Sequence, residues 1–187
     1  MTYEVVDNYL HDDEFKQLSG FLMGSNFPVY YADNVAIGGV EEKNPQCNYY
    51  FTHNFLLNGE SSIYGENIWR DHFEYRFKDV EVIRFKMNVF PSTNQVYEHA
   101  EHTDFDYPHS GALLCLNTCN GYTKIGEEKI PSVANRMIFF DTSAPHQSTT
   151  CSDQPVRANI VINYKKIATP PIHLICPWII SHITITN

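Results

Sequence analysis

The feature that most constrains the fold is a series of short apolar runs, separated by turn residues, that begins at residue 80. The first run, residues 80–90, alternates apolar and polar side chains and is rich in β-branched residues. Turn signals such as Asn120-Gly121 bound the later runs. These runs cover residues 112–116, 122–125, 136–140 and 156–164. Runs of this length and spacing predict the strands of a β-sandwich or barrel.

The chain before residue 80 carries the helical signals. Asp12 and Asp13 are predicted N-cap residues of a first helix, in which Phe15 and Leu18 recur at helical spacing. A second helix is predicted over residues 66–77 from the same kind of spacing. We expect both helices to pack on one outer face of the β-structure. The predicted fold class is therefore mainly β (α+β), with N-terminal helices on one sheet.

The length of 187 residues fits one domain. Within it we predict a helical and loop support region (1–79), a β core (80–166) and an apolar C-terminal tail (167–187). Prolines interrupt the tail, which lacks the ~20 consecutive apolar residues of a membrane-spanning helix. We therefore expect no membrane span. The tail is predicted to dock on the domain's own surface or on a second copy of the chain, as a homodimer.

Charge and cysteine content narrow the class of protein. The net charge is −9, without a run of basic residues, which argues against a protein that grips nucleic acid by its phosphates. The five cysteines are an odd number, and the N-terminus lacks the basic and apolar regions of a secretory signal. We expect a reducing, cytoplasmic location with free thiols.

Histidine and carboxylate residues are the main candidates for chemistry. A His followed two places on by an acidic residue occurs four times, where chance predicts roughly one. His102/Asp104 and His99/Glu101 overlap in one polar segment, and the strand period of two lets only one pair face the interior. His146 comes just after the fourth apolar run. Two histidines and one carboxylate can occupy one face of an octahedral iron.

Arg157 lies near the start of the most apolar strand of the chain, residues 156–164. Burying a guanidinium is costly unless it meets an anion, and its planar fork matches a carboxylate. The sequence therefore predicts a buried anion near the start of this strand.

His102-x-Asp104, then His146, then Arg157, resembles the pattern of the 2-oxoglutarate- and Fe(II)-dependent dioxygenase superfamily, in particular its prolyl-hydroxylase-like branch of bacteria and phages. The resemblance covers about residues 82–165. It implies a double-stranded β-helix, a cupin-like jelly roll, with Fe(II) held by the two histidines and the aspartate. It also implies 2-oxoglutarate bound at its distal carboxylate by Arg157, O2 as a cosubstrate, and stimulation by ascorbate.

Three positions bear on the details of the oxoglutarate site. Where prolyl hydroxylases often carry tyrosines that touch oxoglutarate, this chain has Phe90 and Cys115. Asn159 shares a strand face with Arg157 and either donates a hydrogen bond to the cosubstrate or satisfies backbone groups. The iron ligands do not depend on these positions.

For the other candidate residues, the sequence predicts no single role. Asn88, Tyr97 and Tyr107 are candidates for the substrate mouth or for packing. The remaining histidines of interest are expected on the surface or in loops: His99, His109, His173 and His182.

The leading functional hypothesis is an oxygenase that hydroxylates a C–H bond of a peptide or protein residue, with proline as the first candidate. The alternatives are a small-molecule hydroxylase of the same superfamily, a non-oxygenase cupin-like metal-binding protein, and an interaction module with the same barrel. A nucleic-acid demethylase is disfavoured. That branch carries a second Arg six places beyond the first, where this chain has Asn163.

Overall fold

Two antiparallel β-sheets form the framework of the computed structural model, which describes residues 2–35 and 48–167. The strands of the described residues are, in chain order, β1 (Tyr3–Val6), β2 (Tyr30–Ala32), β3 (Tyr50–Leu57), β4 (Glu60–Ser61), β5 (Val80–Pro91), β6 (Ser110–Cys115), β7 (Tyr122–Ile125), β8 (Glu128–Pro131), β9 (Met137–Phe140), β10 (His146–Gln147) and β11 (Val156–Lys166).

The larger sheet has the strand order β1-β9-β6-β11-β5-β3-β2, with β4 paired to β3. The smaller sheet has the order β10-β7-β8. Two bridges, Glu98–Thr149 and His102–His146, add the segment 98–102 to this sheet on the β10 side. From β5 to β11 the chain passes repeatedly between the two sheets. This topology is a double-stranded β-helix, so the predicted jelly roll is confirmed.

The strands predicted from residue 80 onward are all present, with ends that differ by up to two residues. The short strands β8 and β10 were not predicted. β8 forms a hairpin with β7 because Gly126, at φ 60°, supplies the left-handed backbone of the turn. The region 1–79, predicted as a helical and loop support region with short strands between its helices, contributes β1 to β4 to the larger sheet.

The described residues form two helical segments, α1 (Asp12–Leu22) and α2 (Gly65–Ile68), the latter continued by a π-helical turn over Trp69–Phe73. The predicted N-cap of α1 is wrong. His11 is the N-cap and makes no side-chain capping bond, while the two aspartates lie in the first turn, where their charge complements the helix dipole. The second helix is shorter than predicted, because the chain after Phe73 continues as turns.

The outer face of the larger sheet packs against the helices. Leu18 and Leu22 of α1 are each 2% exposed, and Phe73 of the π-helical turn is fully buried in the same cluster. Alternate residues of β11 join this cluster: Ala158, Ile160, Ile162 and Tyr164. Burial of apolar surface is the main force that holds the two layers together. The prediction that the helices pack on one sheet is confirmed.

The inner face of the larger sheet meets the smaller sheet. Leu113, Ile138 and Val161 pack there with Ile125 and Ile130 of the smaller sheet. The other buried residues on this face of β11 are polar: Arg157, Asn159 and Asn163. β11 therefore separates a helix-covered apolar core from a polar site between the sheets.

Within the described ranges, no helix has the length and apolar character needed to cross a membrane. Residues 168–187, which hold almost all of the apolar tail, lie outside the described residues. The docking of the tail and the homodimer stay predictions.

Candidate metal centre

His102, Asp104 and His146 come together between the two sheets. Their potential ligand atoms all lie within 4.8 Å of one another, and the two imidazole centroids are 4.6 Å apart. Backbone pairing sets this spacing. The N–H groups of His102 and His146 each donate to the other's carbonyl, at 3.0 and 2.9 Å, and the Asp104 N–H donates to the Thr142 carbonyl at 3.0 Å. The three side chains are therefore positioned by the sheet itself.

Both imidazoles use Nδ1 for a bond to the backbone. His102 Nδ1 donates to the Ala100 carbonyl at 3.1 Å, and His146 Nδ1 donates to the Ala144 carbonyl at 3.0 Å. Because a carbonyl only accepts, Nδ1 carries the proton and Nε2 keeps the lone pair that can bind a metal. Burial and the proximity of His146 lower the pKa of His102, which favours its neutral form.

Neighbours on two strands hold the Asp104 carboxylate in its ionised form. Arg84 Nη2 donates to Oδ1 at 2.5 Å, and Asn163 Nδ2 donates to Oδ2 at 2.8 Å. Arg84 Nε also donates to Asn163 Oδ1 at 2.9 Å, which closes a ring of three side chains. Burial alone would raise the pKa of Asp104. The charge of Arg84, then His146 and the hydrogen bond from Asn163, outweigh burial and hold it well below its usual range.

The donor set is thus two imidazole nitrogens and one carboxylate oxygen on a buried face. Such a set suits Fe(II) and other divalent transition metals, and three protein ligands leave further coordination positions open. The ion-binding residues predicted from the sequence can therefore hold a metal ion.

The predictions from the sequence include Asn88 and Phe90 of β5 but not Arg84 and Lys86, which lie on the same face of this strand. Arg84, Lys86, Asn88 and Phe90 alternate along this strand, and all four line the site. Their alternation was visible in the sequence, and charged residues at a strand's inner positions are a signal of function. Across the sheet they pair in register with residues of β11, which are Asn163, Val161, Asn159 and Arg157 in that order.

A cavity of about 280 Å³ lies along these two strands and includes the triad. Apolar side chains such as Phe140 and Val161 make up part of its wall, beside the polar residues of β5. The ammonium of Lys86 lies 5.4 Å from the centre of the Tyr50 ring, and Tyr50 also lines the cavity. The site is a partly enclosed pocket with a metal-binding group in its wall, the common form of a small-molecule site.

Solved structures with this architecture include known oxygenases. The chain is similar to an oxidoreductase of the 2OG-Fe(II) oxygenase family from Burkholderia pseudomallei, with 10% identity and a TM-score of 0.65, over 87% of this chain and 85% of that one. It is also similar to a prolyl-4-hydroxylase from Pseudomonas putida, with 11% identity and a TM-score of 0.55, over 88% and 92%. HygX from Streptomyces hygroscopicus, solved with nickel and 2-oxoglutarate bound, matches with 10% identity and a TM-score of 0.56, over 88% and 82%. No protein-family model and no curated protein matches the sequence.

The fold is that of the 2-oxoglutarate- and Fe(II)-dependent oxygenases. The resemblance drawn from the sequence is confirmed at this level.

In this oxygenase fold, Arg157 is a fully buried cation. Its Nη1 donates to the Thr149 carbonyl at 3.2 Å and its Nη2 donates to Thr123 Oγ1 at 2.8 Å, while Nε has no partner. No carboxylate pairs with the guanidinium among the described residues. Burial lowers the pKa of Arg157, as expected for a charge removed from water without an acid beside it. The unpartnered N–H fits the anion that the sequence predicts at this place.

Arg157 lies just behind the cavity wall rather than in it. Thr123 and Phe90 line the cavity, and both contact the guanidinium, through the threonine hydroxyl and through a ring centroid at 5.6 Å. Only two of its five N–H groups are engaged in hydrogen bonds with described residues. The remaining N–H groups are hydrogen-bond donors that a carboxylate would accept from.

The other predicted positions divide into two groups. Asn88, Phe90 and Asn159 line the cavity, and Asn88 Nδ2 donates to Asn159 Oδ1 at 3.3 Å. Three residues do not belong to its wall: Tyr97, Tyr107 and Cys115. Among the described residues, the side chain of Asn159 therefore bonds to a side chain of the neighbouring strand rather than to backbone groups.

Two histidines predicted on the surface or in loops, His99 and His109, lie in loops, but both are buried rather than at the surface. His99 is 2% exposed, with Nδ1 2.8 Å from the Ser148 hydroxyl and its ring packed on Phe90. His109 is 6% exposed and donates from Nδ1 to the Tyr107 carbonyl at 2.8 Å. Pairing of the segment 98–102 with the smaller sheet buries the first of them. The other two, His173 and His182, lie outside the described residues.

A second group of potential ligands comprises Cys119, Cys151 and Asp153. Metals bind the thiolate form of cysteine. Burial raises the pKa of the Cys151 thiol to about 11, which disfavours that form at neutral pH. The triad is the stronger metal site. The thiols of Cys115, Cys119 and Cys151 are free and buried, as the composition predicts.

Proposed function

We propose that the protein is a 2-oxoglutarate- and Fe(II)-dependent oxygenase that hydroxylates a C–H bond. The observation that carries this proposal is the combination of two sites along one cavity. One is a two-histidine, one-aspartate metal site, and the other is a buried guanidinium that meets no carboxylate among the described residues. A β-barrel that binds a metal ion for hydrolysis or for stability does not need a buried, unpaired cation, which is costly to keep.

Each residue has a defined task in this proposal. His102, Asp104 and His146 would hold the metal, and Arg157 would hold the distal carboxylate of 2-oxoglutarate. When bound, Fe(II), O2 and oxoglutarate supply the oxidation: one oxygen atom enters the substrate C–H bond and the other enters succinate, with loss of CO2. The chain contributes orientation. Backbone bonds fix both imidazoles, and apolar side chains such as Phe140 keep bulk water from part of the wall.

We propose a peptide or protein residue as the substrate, with proline tested first. Asn34 and Val35 line the cavity and follow β2 after Asp33. Among the described strands β2 lies at the edge of its sheet, and its Tyr30 and Tyr31 are 63% and 64% exposed. The Tyr31 ring stacks on Tyr49 at 5.9 Å. In known recognition domains, aromatic side chains bind proline-rich segments, which supports this choice.

The test of the activity is oxoglutarate-dependent formation of succinate by the protein with Fe(II), O2 and ascorbate. Before turnover, anaerobic addition of oxoglutarate to the Fe(II) protein should produce a metal-to-ligand absorption band. His102→Ala and His146→Ala should abolish both signals and lower Fe(II) retention. The fold should survive, since neither side chain is part of the two apolar clusters.

The matched control is His11→Ala, because His11 is exposed and lies outside the cavity. This variant should keep wild-type succinate formation. Wild-type rates in either triad variant would refute the metal assignment. For the substrate, proline-containing peptides are examined for a mass gain of one oxygen atom. A gain on a free small molecule instead would favour the small-molecule hydroxylase.

A further inference from the structure

Lys86 is a cation in the cavity wall that the activity proposed above does not use. Its side chain lines the cavity, and its ammonium contacts the Tyr50 ring at 5.4 Å. No ion pair or hydrogen bond joins it to another described residue. The nearby Asp104 carboxylate is already engaged at both oxygens by Arg84 and Asn163. A cation–π contact is weaker than pairing with an anion, so the ammonium keeps its capacity for one.

The register of β5 and β11 places Lys86 nearer the metal site than Arg157. Arg84, which binds Asp104, pairs with Asn163 of β11. Lys86 is the next residue along this face of β5, and it pairs with Val161. Arg157 pairs with Phe90, a further two steps on. Two residues along a strand span about 6.6 Å, so Lys86 lies beside the triad while Arg157 marks the other end of the cavity.

Electrostatics agree with this position. The charge of Lys86 is one of the influences that lower the pKa of Asp104, after burial, Arg84, His146 and Asn163. It likewise adds to burial and His146 in lowering the pKa of His102. Burial in turn lowers the pKa of Lys86 to about 7.

Lys86 and Arg157 are therefore two cations without an acidic partner among the described residues, one at each end of the site. We infer that Lys86 binds the carboxylate of 2-oxoglutarate that adjoins the keto group, so that each carboxylate of the dianion meets its own cation. This inference rests on the proposed function, because it assumes that oxoglutarate binds at the triad. It makes Lys86 a positioning residue for the metal-bound end of the cosubstrate and a determinant of affinity for any 2-oxo acid.

The test compares two 2-oxo acids on three proteins. 2-Oxoglutarate has both carboxylates, whereas 2-oxobutanoate has only the one beside the keto group. Their dissociation constants are measured anaerobically on the Fe(II) protein from the metal-to-ligand absorption band, in wild type, Lys86→Met and Arg157→Met. Lys86→Met should weaken the binding of both acids by at least about tenfold, as expected for a lost hydrogen bond to a charged group. The factors for the two acids should agree within about threefold. Arg157→Met should weaken the binding of 2-oxoglutarate and leave that of 2-oxobutanoate unchanged.

Lys165→Met is the matched control, because Lys165 also contacts a tyrosine ring, Tyr107 at 4.4 Å, but is exposed and outside the cavity. It should leave both affinities unchanged. Fe(II) affinity and thermal unfolding of each variant show that the metal site and the fold persist. Unchanged affinities in Lys86→Met would overturn the inference, as would a loss confined to 2-oxoglutarate, which would assign Lys86 to the distal carboxylate. Failure of the wild type to bind 2-oxoglutarate would instead refute the proposed function.

Discussion

At the scale of single residues, the charge of Lys86 carries a stability cost that can be measured without any substrate. Its pKa falls from 10.5 to about 7 on folding, mainly through burial. Between these values the unfolded chain binds more protons than the folded protein, so the free energy of unfolding rises with pH. Below pH 7 both states hold the proton and the cost is at its largest.

We therefore expect Lys86→Met to be more stable than wild type at pH 6.5, and the difference to shrink as the pH rises to 9. Urea unfolding of the protein without cosubstrate at both pH values measures this. The exposed Lys165→Met variant should show a difference from wild type that does not change with pH. A constant difference for Lys86→Met across this range would contradict a lowered pKa for Lys86.

Arg84 is the residue on which the geometry of Asp104 most depends. Residues that support a metal ligand typically contribute 10- to 100-fold to metal affinity. Arg84→Met removes the ion pair and one side of the ring with Asn163, so we expect it to weaken Ni(II) or Fe(II) binding by about that factor. Competition with a chelator measures the affinity. Arg70→Met, which removes an exposed pair with Asp71, is the control. Equal affinities in the two variants would exclude a role for Arg84.

The sequence identified the residues whose chemistry is distinctive and missed those that act through them. His102, Asp104 and His146 stand out because few residue types bind metals, and their spacing in the chain could be matched to a known pattern. Arg84 and Lys86 resemble any charged residues on a strand until the sheet register shows which face is buried. The burial of His99 in its loop was not predictable for the same reason, since it depends on pairing with a distant segment.

At the scale of elements, β11 and β7 together position Arg157. Gly121, just before β7, leaves room for this side chain. A Cβ there would lie 2.7 Å from Arg157 Cδ and 2.6 Å from the Thr150 carbonyl oxygen. Both distances are shorter than real Cβ contacts, so the arginine or the backbone must shift.

Gly121→Ala should therefore weaken 2-oxoglutarate binding and cost about 1–3 kcal/mol of stability, although residue 121 is not a proposed ligand. Calorimetric titration and urea unfolding measure the two effects. Gly20→Ala is the control, since its Cβ meets nothing within 4 Å and an alanine inside α1 should stabilise the protein by up to about 1 kcal/mol. Identical behaviour of the two variants would mean that the region around Arg157 adapts without cost.

Elements with strong periodicity were predictable, and those defined by their partners were not. Residues 122–125 form β7 with the predicted ends because an apolar run lies between clear turn signals. β10 is only two residues long and exists through its pairing with β7. The strands before residue 80 carry mixed patterns, and their places beside β9 and β5 in the larger sheet follow from tertiary pairing.

At the scale of the whole molecule, the N-terminal segment joins the larger sheet and is hydrogen-bonded to a turn more than a hundred residues later in the chain. β1 pairs with β9, and Asn135 ties the loop after β1 to the turn before β9. Asn135 Oδ1 accepts from the Leu10 N–H at 2.9 Å, and its Nδ2 donates to the Leu10 carbonyl at 2.8 Å. Its own carbonyl accepts from the Tyr9 N–H at 3.0 Å. Asn135 is 4% exposed, so these groups have no ready access to water.

Replacing Asn135 should thus destabilise the whole fold without altering the metal site. Asn135→Gly keeps the backbone at φ 62° accessible but leaves the Leu10 N–H and carbonyl unpaired, which should cost about 2–4 kcal/mol. Asn135→Ala loses the same bonds and adds the strain of a left-handed backbone, so it should cost about 1 kcal/mol more. Urea unfolding measures both losses, and Ni(II) affinity should equal that of wild type because the triad is held by other strands. If the free energy of unfolding of both variants lies within about 0.5 kcal/mol of wild type, the N-terminal segment contributes little to the stability of the jelly roll. Substitutions at surface positions without buried contacts typically have effects of this size.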